Sequence, residues 1–288
     1  MAAAVALVRT HLLVTLLDTA RRNVSRGMSD VAIFELGLVT RPDAGAPVAP
    51  RLPGGVRPTE TQLAALHAAV PAQPRRVAGV LAGARERGGW WGAGRRVDHT
   101  DAIASAVLVA QTVGVELVVS SDAGHAPWHP GRCARLETVA GALVGHAGEL
   151  HPNVVAALDL PPRAVAFEVD LDVLLDAAST GPLQAREIST FPVAKEDIAL
   201  VVDAGVTAAA LEAAVRFGAD ASPAGEVLEE LRLFDVYTGT QVGDGRKSLA
   251  FSLRLRAGDR TLTAEEAAGV RDAVVAEAHR RLGAELRA

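Results

Sequence analysis

A chain of 288 residues with a formal net charge of −5 is long enough for two hydrophobic cores and too acidic to coat nucleic acid nonspecifically. Apolar residues make up 49% of it, yet no apolar run approaches the roughly 18 residues needed to cross a bilayer. A single cysteine, Cys133, excludes an internal disulfide framework and suits a reducing compartment, so the expectation is a soluble cytoplasmic protein with no membrane association.

The opening residues are apolar, but Arg9, His11 and Asp18 interrupt them and no small-residue cleavage site follows, which predicts a buried helix rather than a targeting segment. Over residues 5–26 that helix would bury Leu12, Leu13, Leu16, Leu17 and Ala20, carry Arg21, Arg22 and Arg26 near its C-terminal end, and stop at Gly27. Residues 31–40 predict a strand alternating around Ile33, Glu35 and Gly37, and residues 41–58, rich in Pro, Gly and Ala, predict a loop. A strand over 77–84 leads to a turn at 88–92 with Trp90 and Trp91. Two such rings could stack a base, but neighbours on a strand point opposite ways, which favours packing or subunit contact. A helix at 98–113, a strand at 116–120, a strand–turn–strand over 135–148, a short helix near His151 and a strand at 164–171 complete an antiparallel sheet with two or three helices on one side, an α+β pattern. The domains expected are residues 1–180 and 191–288, with a linker at 181–190.

After the linker the order is strand (197–203), helix (207–217), strand (227–237), strand (247–256), helix (263–282) and a short strand (284–287). This βαββαβ order is that of the ferredoxin-like split motif. Thr263 is placed to cap the second helix, with Glu265 and Glu266 in its first turn.

Chemistry concentrates in this second half. The only tyrosine, Tyr237, ends an apolar strand opposite a Gly-rich turn that delivers Arg246, Lys247 and Ser248. A flat ring can hold the face of any nucleobase while neighbouring cations hold phosphates, and Arg246, Lys247, Arg254, Arg256 and Arg260 face only Asp259 between positions 246 and 260. From the residues alone a second reading stands beside this one: Tyr237 merely ends a strand, and Asp235 pairs with Arg254 or Arg256. His125, His129, His146, His151 and Cys133 have no spacing of a zinc site, and no metal site is expected. Asp98 and Asp101 read as helix-start carboxylates. No Walker loop, Ser-His-Asp order, CxxC or dinucleotide fingerprint is present.

From Phe191-Pro192-Val193-Ala194-Lys195 to Leu282-Gly283-Ala284-Glu285-Leu286-Arg287 the chain closely resembles the ferredoxin-fold anticodon-binding domain that closes the beta subunit of bacterial phenylalanyl-tRNA synthetases. Arg9-Thr10, residues 20–27 (ARRNVSRG), Ala32-Ile33-Phe34-Glu35-Leu36-Gly37, His129-Pro130-Gly131-Arg132 and residues 145–152 (GHAGELHP) fall in the order of the same subunit's class II-like module, so the resemblance covers almost the whole chain.

The resemblance implies a class II synthetase-like antiparallel sheet followed by the ferredoxin-like domain, and no catalytic residues in this chain. An active class II site needs an arginine–glutamate pair on one strand and a second arginine at a later strand–helix junction to stabilise attack on the α-phosphate of ATP. Here the first strand runs into Arg41 and a Pro-Gly loop, and the later one ends acidic, in Glu168, Asp170 and Asp172. The resemblance further implies that Tyr237 stacks on the first anticodon base, that Asp235 and Ser248 hydrogen-bond its edges with Lys247 alongside, that Phe234 and Val236 point into the core, and that Arg246, Arg254 and Arg256 contact phosphates. The implied partners are the alpha subunit, phenylalanine tRNA and a second beta chain in an alpha2-beta2 assembly. ATP and Mg2+ would be used by the assembled enzyme, with no cofactor held by this chain. The alternatives are a stand-alone RNA-binding protein and an inactive remnant.

Overall fold

The computed structural model describes residues 8–43, 45–182 and 188–287, which divide into two compact units, Met1–Gly181 and Pro182–Ala288. Unit 1 runs α1 (Leu12–Ser25), β1 (Val31–Leu38), α2 (Glu60–Ala68), β2 (Arg75–Ala82), β3 (Ala84–Glu86), β4 (Arg95–Arg96), α3 (His99–Thr112), β5 (Leu117–Ser121), β6 (Trp128–Thr138), β7 (Leu143–Leu150), α4 (Pro152–Ala157), β8 (Val165–Asp170) and α5 (Leu171–Ala177). Six strands form an antiparallel sheet in the order β1-β2-β8-β7-β6-β5.

Helices cover both faces of this sheet, not one. Every residue of β8 is buried, and a sheet apolar on both sides must be covered on both. Ala78, Val80 and Ala166 pack under Leu12, Leu13, Leu16 and Leu17 of α1, whereas Val77, Val165, Phe167 and Val169 pack under Ala102, Ala106 and Ala110 of α3 and Leu174 of α5. The α1 helix starts at Leu12 rather than residue 5. Residues 8–11 are not helical and residues 5–7 lie outside the described chain. His11 provides no side-chain cap; the Leu13 amide donates to Glu168 Oε2 at 3.1 Å, so a carboxylate 155 residues away caps the helix. α2 and α5 are short helices that the sequence pattern did not announce, and β6 begins at Trp128, before His129, with Trp128 buried in the α1 core.

Unit 2 runs β9 (Ala194–Asp203), α6 (Ala208–Asp220), β10 (Leu228–Tyr237), β11 (Arg246–Leu255), α7 (Ala264–Leu282) and β12 (Glu285–Leu286). Its antiparallel sheet has the order β10-β11-β9-β12, with α6 and α7 on one face. Thr263 and Glu266 form a capping box at the start of α7, and Gly283 ends it in the left-handed conformation.

Close approach of α6 to α7 depends on Gly218, where a Cβ would lie 2.8 Å from the Val274 Cα and 3.0 Å from the Ala273 carbonyl. Gly269 of α7 has nothing within 4 Å of the same position. Gly218→Ala is therefore expected to destabilise the chain by about 1–3 kcal/mol through overpacking against backbone. Gly269→Ala should stabilise it by about 0.5–1 kcal/mol through helix propensity. Equilibrium urea unfolding measures both, and midpoints moving the same way would contradict the close packing.

Cys133 is buried in the α1 core, and burial pushes its thiol up to about 12, with Asp122 adding to the shift. At pH 8 the native thiol is protonated, so its reaction with a disulfide reagent should be at least roughly 100-fold slower than in the urea-unfolded chain. Equal rates would show that the residue is exposed.

Candidate nucleic-acid interface

Alternation along β11 sends Leu249, Phe251, Leu253 and Leu255 into the core beneath α6 and α7, and leaves Ser248, Ala250, Ser252 and Arg254 on the face without helices. The register extends this open face into rows. Tyr237, Ser248, Val201 and Glu285 lie across one end, then Asp235, Ala250 and Ala199, then Arg232, Ser252 and Asp197, and finally Glu230, Arg254 and Lys195. Alanine and serine in the rows through Ser248, Ala250 and Ser252 keep the floor low, with Tyr237 at one end and Arg254 and Lys195 at the other.

Tyr237 is half-buried at the edge of this floor. The Arg287 guanidinium carbon lies 4.8 Å from the ring centroid, and Arg287 Nη2 donates to Gln241 Oε1 at 2.8 Å. Gly239 packs against the same ring, where any Cβ would collide with it. Asp235 is exposed and makes no ion pair with a described residue. The reading in which it pairs with Arg254 or Arg256 does not describe the structure: Arg254 lies 3.5 Å from Glu230 and 3.6 Å from Glu229, and Arg256 lies 3.4 Å from Glu229.

Several expected placements need correction. Phe234 and Val236 are about half exposed, not in the core, because β10 is an edge strand and a bulge between Leu233 and Asp235 shifts the register. Ser248 shares a face with Tyr237 but is only 2% exposed, so its hydroxyl lies beneath the surface. Lys247, one residue earlier, is on the opposite side of β11 and donates from Nζ to the Ala204 carbonyl at 2.9 Å. Arg246 is 3.0 Å from Glu285. Arg256 is drawn inward, donating from Nη1 to the Ser189 carbonyl at 2.7 Å.

The structure adds two cations that charge counting between positions 246 and 260 passed over. Lys195 and Arg232 line a shallow cleft of about 340 Å³ with Asp197, Glu230, Phe234 and Arg254, and neither makes an ion pair with a described residue. The available signal was parity: Arg232 lies between the core-packed Leu231 and Leu233, and Lys195 is an odd number of residues from Ile198.

In unit 1 the outward face of edge strand β1 exposes Phe34 (78%), Leu36 (60%) and Leu38 (52%), an apolar stripe open to a partner. Trp90 and Trp91 are also exposed and meet edge to face, centroids 5.8 Å apart. Asp98 and Asp101 form the capping box of α3, and the Arg95 guanidinium, 2.7 Å from each Asp101 oxygen, holds that carboxyl below its ordinary value. His151 caps α4 and His129 accepts from the Gly131 amide.

His146 does join a cluster, but with Asp122 (3.1 Å) and His125 rather than with Cys133. The two imidazoles stack with centroids 3.7 Å apart and planes 8° from parallel, so their in-plane lone pairs run side by side instead of converging as tetrahedral metal ligation requires. Burial, and then His125, hold His146 below its ordinary value.

Comparison with known proteins agrees with this architecture. Residues 1–171 match the family model described as phenylalanyl tRNA synthetase beta chain CLM domain, and residues 189–287 match the ferredoxin-fold anticodon binding domain. A phenylalanine–tRNA ligase beta subunit of Thermobifida fusca is 54% identical over 98% of this chain and 33% of its own length, and that of Streptomyces avermitilis 53% over 97% and 33%. The corresponding subunit of Bifidobacterium longum is 45% identical over 97% of the chain and 32% of its own length. The chain thus spans about a third of the length of the curated relatives it matches. It belongs to the phenylalanyl-tRNA synthetase beta-chain family.

Proposed function

We propose that this chain serves a phenylalanine–tRNA ligase as a non-catalytic part of the beta subunit, in which unit 2 binds the tRNA anticodon and unit 1 packs against a catalytic alpha subunit within an alpha2-beta2 assembly. The assembled enzyme would use ATP and Mg2+ to attach phenylalanine to its tRNA. The observation that carries the reading is the open face of the unit 2 sheet: a low floor with one tyrosine at its edge, Asp235 exposed beside it, and the cations Arg232 and Lys195 along the same face.

On this reading a base stacks at Tyr237 and takes the place of the Arg287 guanidinium, while Asp235 accepts hydrogen bonds from the base edge. Arg232 and Lys195, with Arg254 beside them, offer phosphate contacts. Arg246 and Arg256 are secondary because each is already engaged. The buried Ser248 supports the floor, and Lys247 contributes charge from the other side of the strand.

Titration of the intact chain with a phenylalanine-tRNA anticodon stem-loop, and with a variant at the first anticodon base, tests this. Loss of a stacked aromatic costs about 1–3 kcal/mol, so Tyr237→Ala should weaken binding roughly tenfold or more and Tyr237→Phe should retain most of it. Asp235→Ala should mainly reduce discrimination between the two loops. Arg232→Ala and Lys195→Ala should weaken both loops alike and flatten the salt dependence. Unchanged binding by Tyr237→Ala would reject the stacking role.

The unit 1 reading makes a separate demand. The chain alone should not exchange pyrophosphate with ATP in the presence of phenylalanine. In light scattering it should self-associate, or form a complex when alpha subunit is added. Phe34→Ser with Leu36→Ser, changes at exposed sites that leave both cores intact, should weaken that complex at least roughly tenfold, and Trp90→Ala tests the second exposed apolar site. A monomer indifferent to alpha subunit would favour a stand-alone RNA-binding protein.

A further inference from the structure

Given the stacking role of Tyr237 proposed above, on which this rests, we propose that Gly239 is a positioning residue for RNA recognition by unit 2. Its bare main chain backs the Tyr237 ring and keeps that ring clear of Asp235, so that a base can stack on the tyrosine and be read by the carboxylate at the same time.

Tyr237 is the last residue of β10, and the chain stays extended beyond it, with Gly239 at φ −156° and ψ 174°. Any residue adopts that conformation, so the backbone makes no demand for glycine here. Gly243 and Gly245, in the turn that leads to β11, differ: their φ values of 86° and 72° lie where other side chains are strained. What requires glycine at 239 is the ring. In an extended segment residues two apart share a face, so a Cβ at 239 would point to the side that Tyr237 occupies. It would lie 2.5 Å from the ring's Cζ and 3.0 Å from Cε1, and closer still to Oη. Those distances place it above the ring plane beside the C–O bond, not at the rim, so the Gly239 main chain covers the hydroxyl end of one ring face.

Asp235 is the same-face neighbour on the other side of Tyr237 along β10, and it is exposed. The ring leans toward 239 and away from Asp235, which leaves room for a base edge at the carboxylate. The 239 position is itself fixed. Its carbonyl accepts from the amide of the buried Val242 at 3.1 Å, and Gln241, between them, accepts from Arg287, whose guanidinium lies over the same ring. With the turn anchored in the core, a methyl group added at 239 displaces the ring rather than the main chain, into the space a base edge would take beside Asp235.

Titration of the intact chain with the anticodon stem-loop and its first-base variant tests this as a double-mutant cycle between Gly239→Ala and Tyr237→Ala. Gly239→Ala alone should weaken binding roughly tenfold, the loss of a stacked aromatic, and should reduce discrimination between the two loops. In a Tyr237→Ala chain the same change should cost nothing further, because no ring remains to be displaced. Equal losses in both backgrounds would make Gly239 a merely structural residue and overturn the proposal, as would unchanged binding by a folded Gly239→Ala chain. Unchanged binding by Tyr237→Ala would instead reject the stacking role itself, and the function of the glycine with it. Because Tyr237 is the only tyrosine, an isotope-labelled ring gives a second readout without RNA: nuclear Overhauser contacts to the Gly239 Hα protons are expected in the unaltered chain. Their absence would overturn the positioning role even if the Gly239→Ala chain does not fold.

Discussion

The period of two along β11 is the constraint on which unit 2 depends. Four large side chains, Leu249, Phe251, Leu253 and Leu255, take every second position and can be covered only by α6 and α7, so the residues between them must face away from the helices. Those residues are Ser248, Ala250, Ser252 and Arg254, and the registers with β9 and β10 continue their row into Asp197, Ala199, Asp235 and Tyr237. A slip of one residue would bury Arg254 and expose Phe251. The packing that makes the core thereby makes the open face.

Unit 1 answers to a different constraint, the covering of two faces. Its α1 face is not wholly apolar: the register sets Glu35, Ala78, Glu168, His146, Arg135 and Ser120 in one row across all six strands. Buried ions in such a row are tolerated only where they are paired. On this face Asp170 meets Arg76 and Glu168 caps α1. The last contact joins the first helix of the unit to its final strand, so one carboxylate fixes the start of α1 against the sheet.

Much of this was legible in the residues. The strand–helix order of unit 2 follows from short β-branched and leucine-rich runs separated by Gly and Pro. Thr263 with Glu266 marked a helix start, and Gly283 its end. The errors have a common origin in pairings that a linear pattern does not carry. The bulge between Leu233 and Asp235 brings Phe234 to the open-face cleft, edge-strand position exposes Val236, and cross-strand neighbours bury Ser248. Lys247 is the exception: parity alone places it away from Tyr237. Asp122 and His125 could not be joined to His146 without the strand register, because 24 residues separate Asp122 from His146. The apolar stripe of β1 was visible as alternation, but its exposure depends on β1 lying at the sheet edge.

Arg287 links the two edges of the unit 2 sheet. β12 is only two residues long, yet the Arg287 amide donates to the Ala199 carbonyl at 2.8 Å and so continues its pairing with β9, which carries the guanidinium across the open face to Tyr237. A cation over an aromatic ring contributes about 0.5–1 kcal/mol where solvent is near, less than the roughly 1–3 kcal/mol of a stacked base. In the proposed complex the base therefore displaces the guanidinium at a net gain, and the released charge stays beside the incoming phosphate backbone. The same residue that holds the ring in place before binding would then contribute to holding the nucleic acid after it.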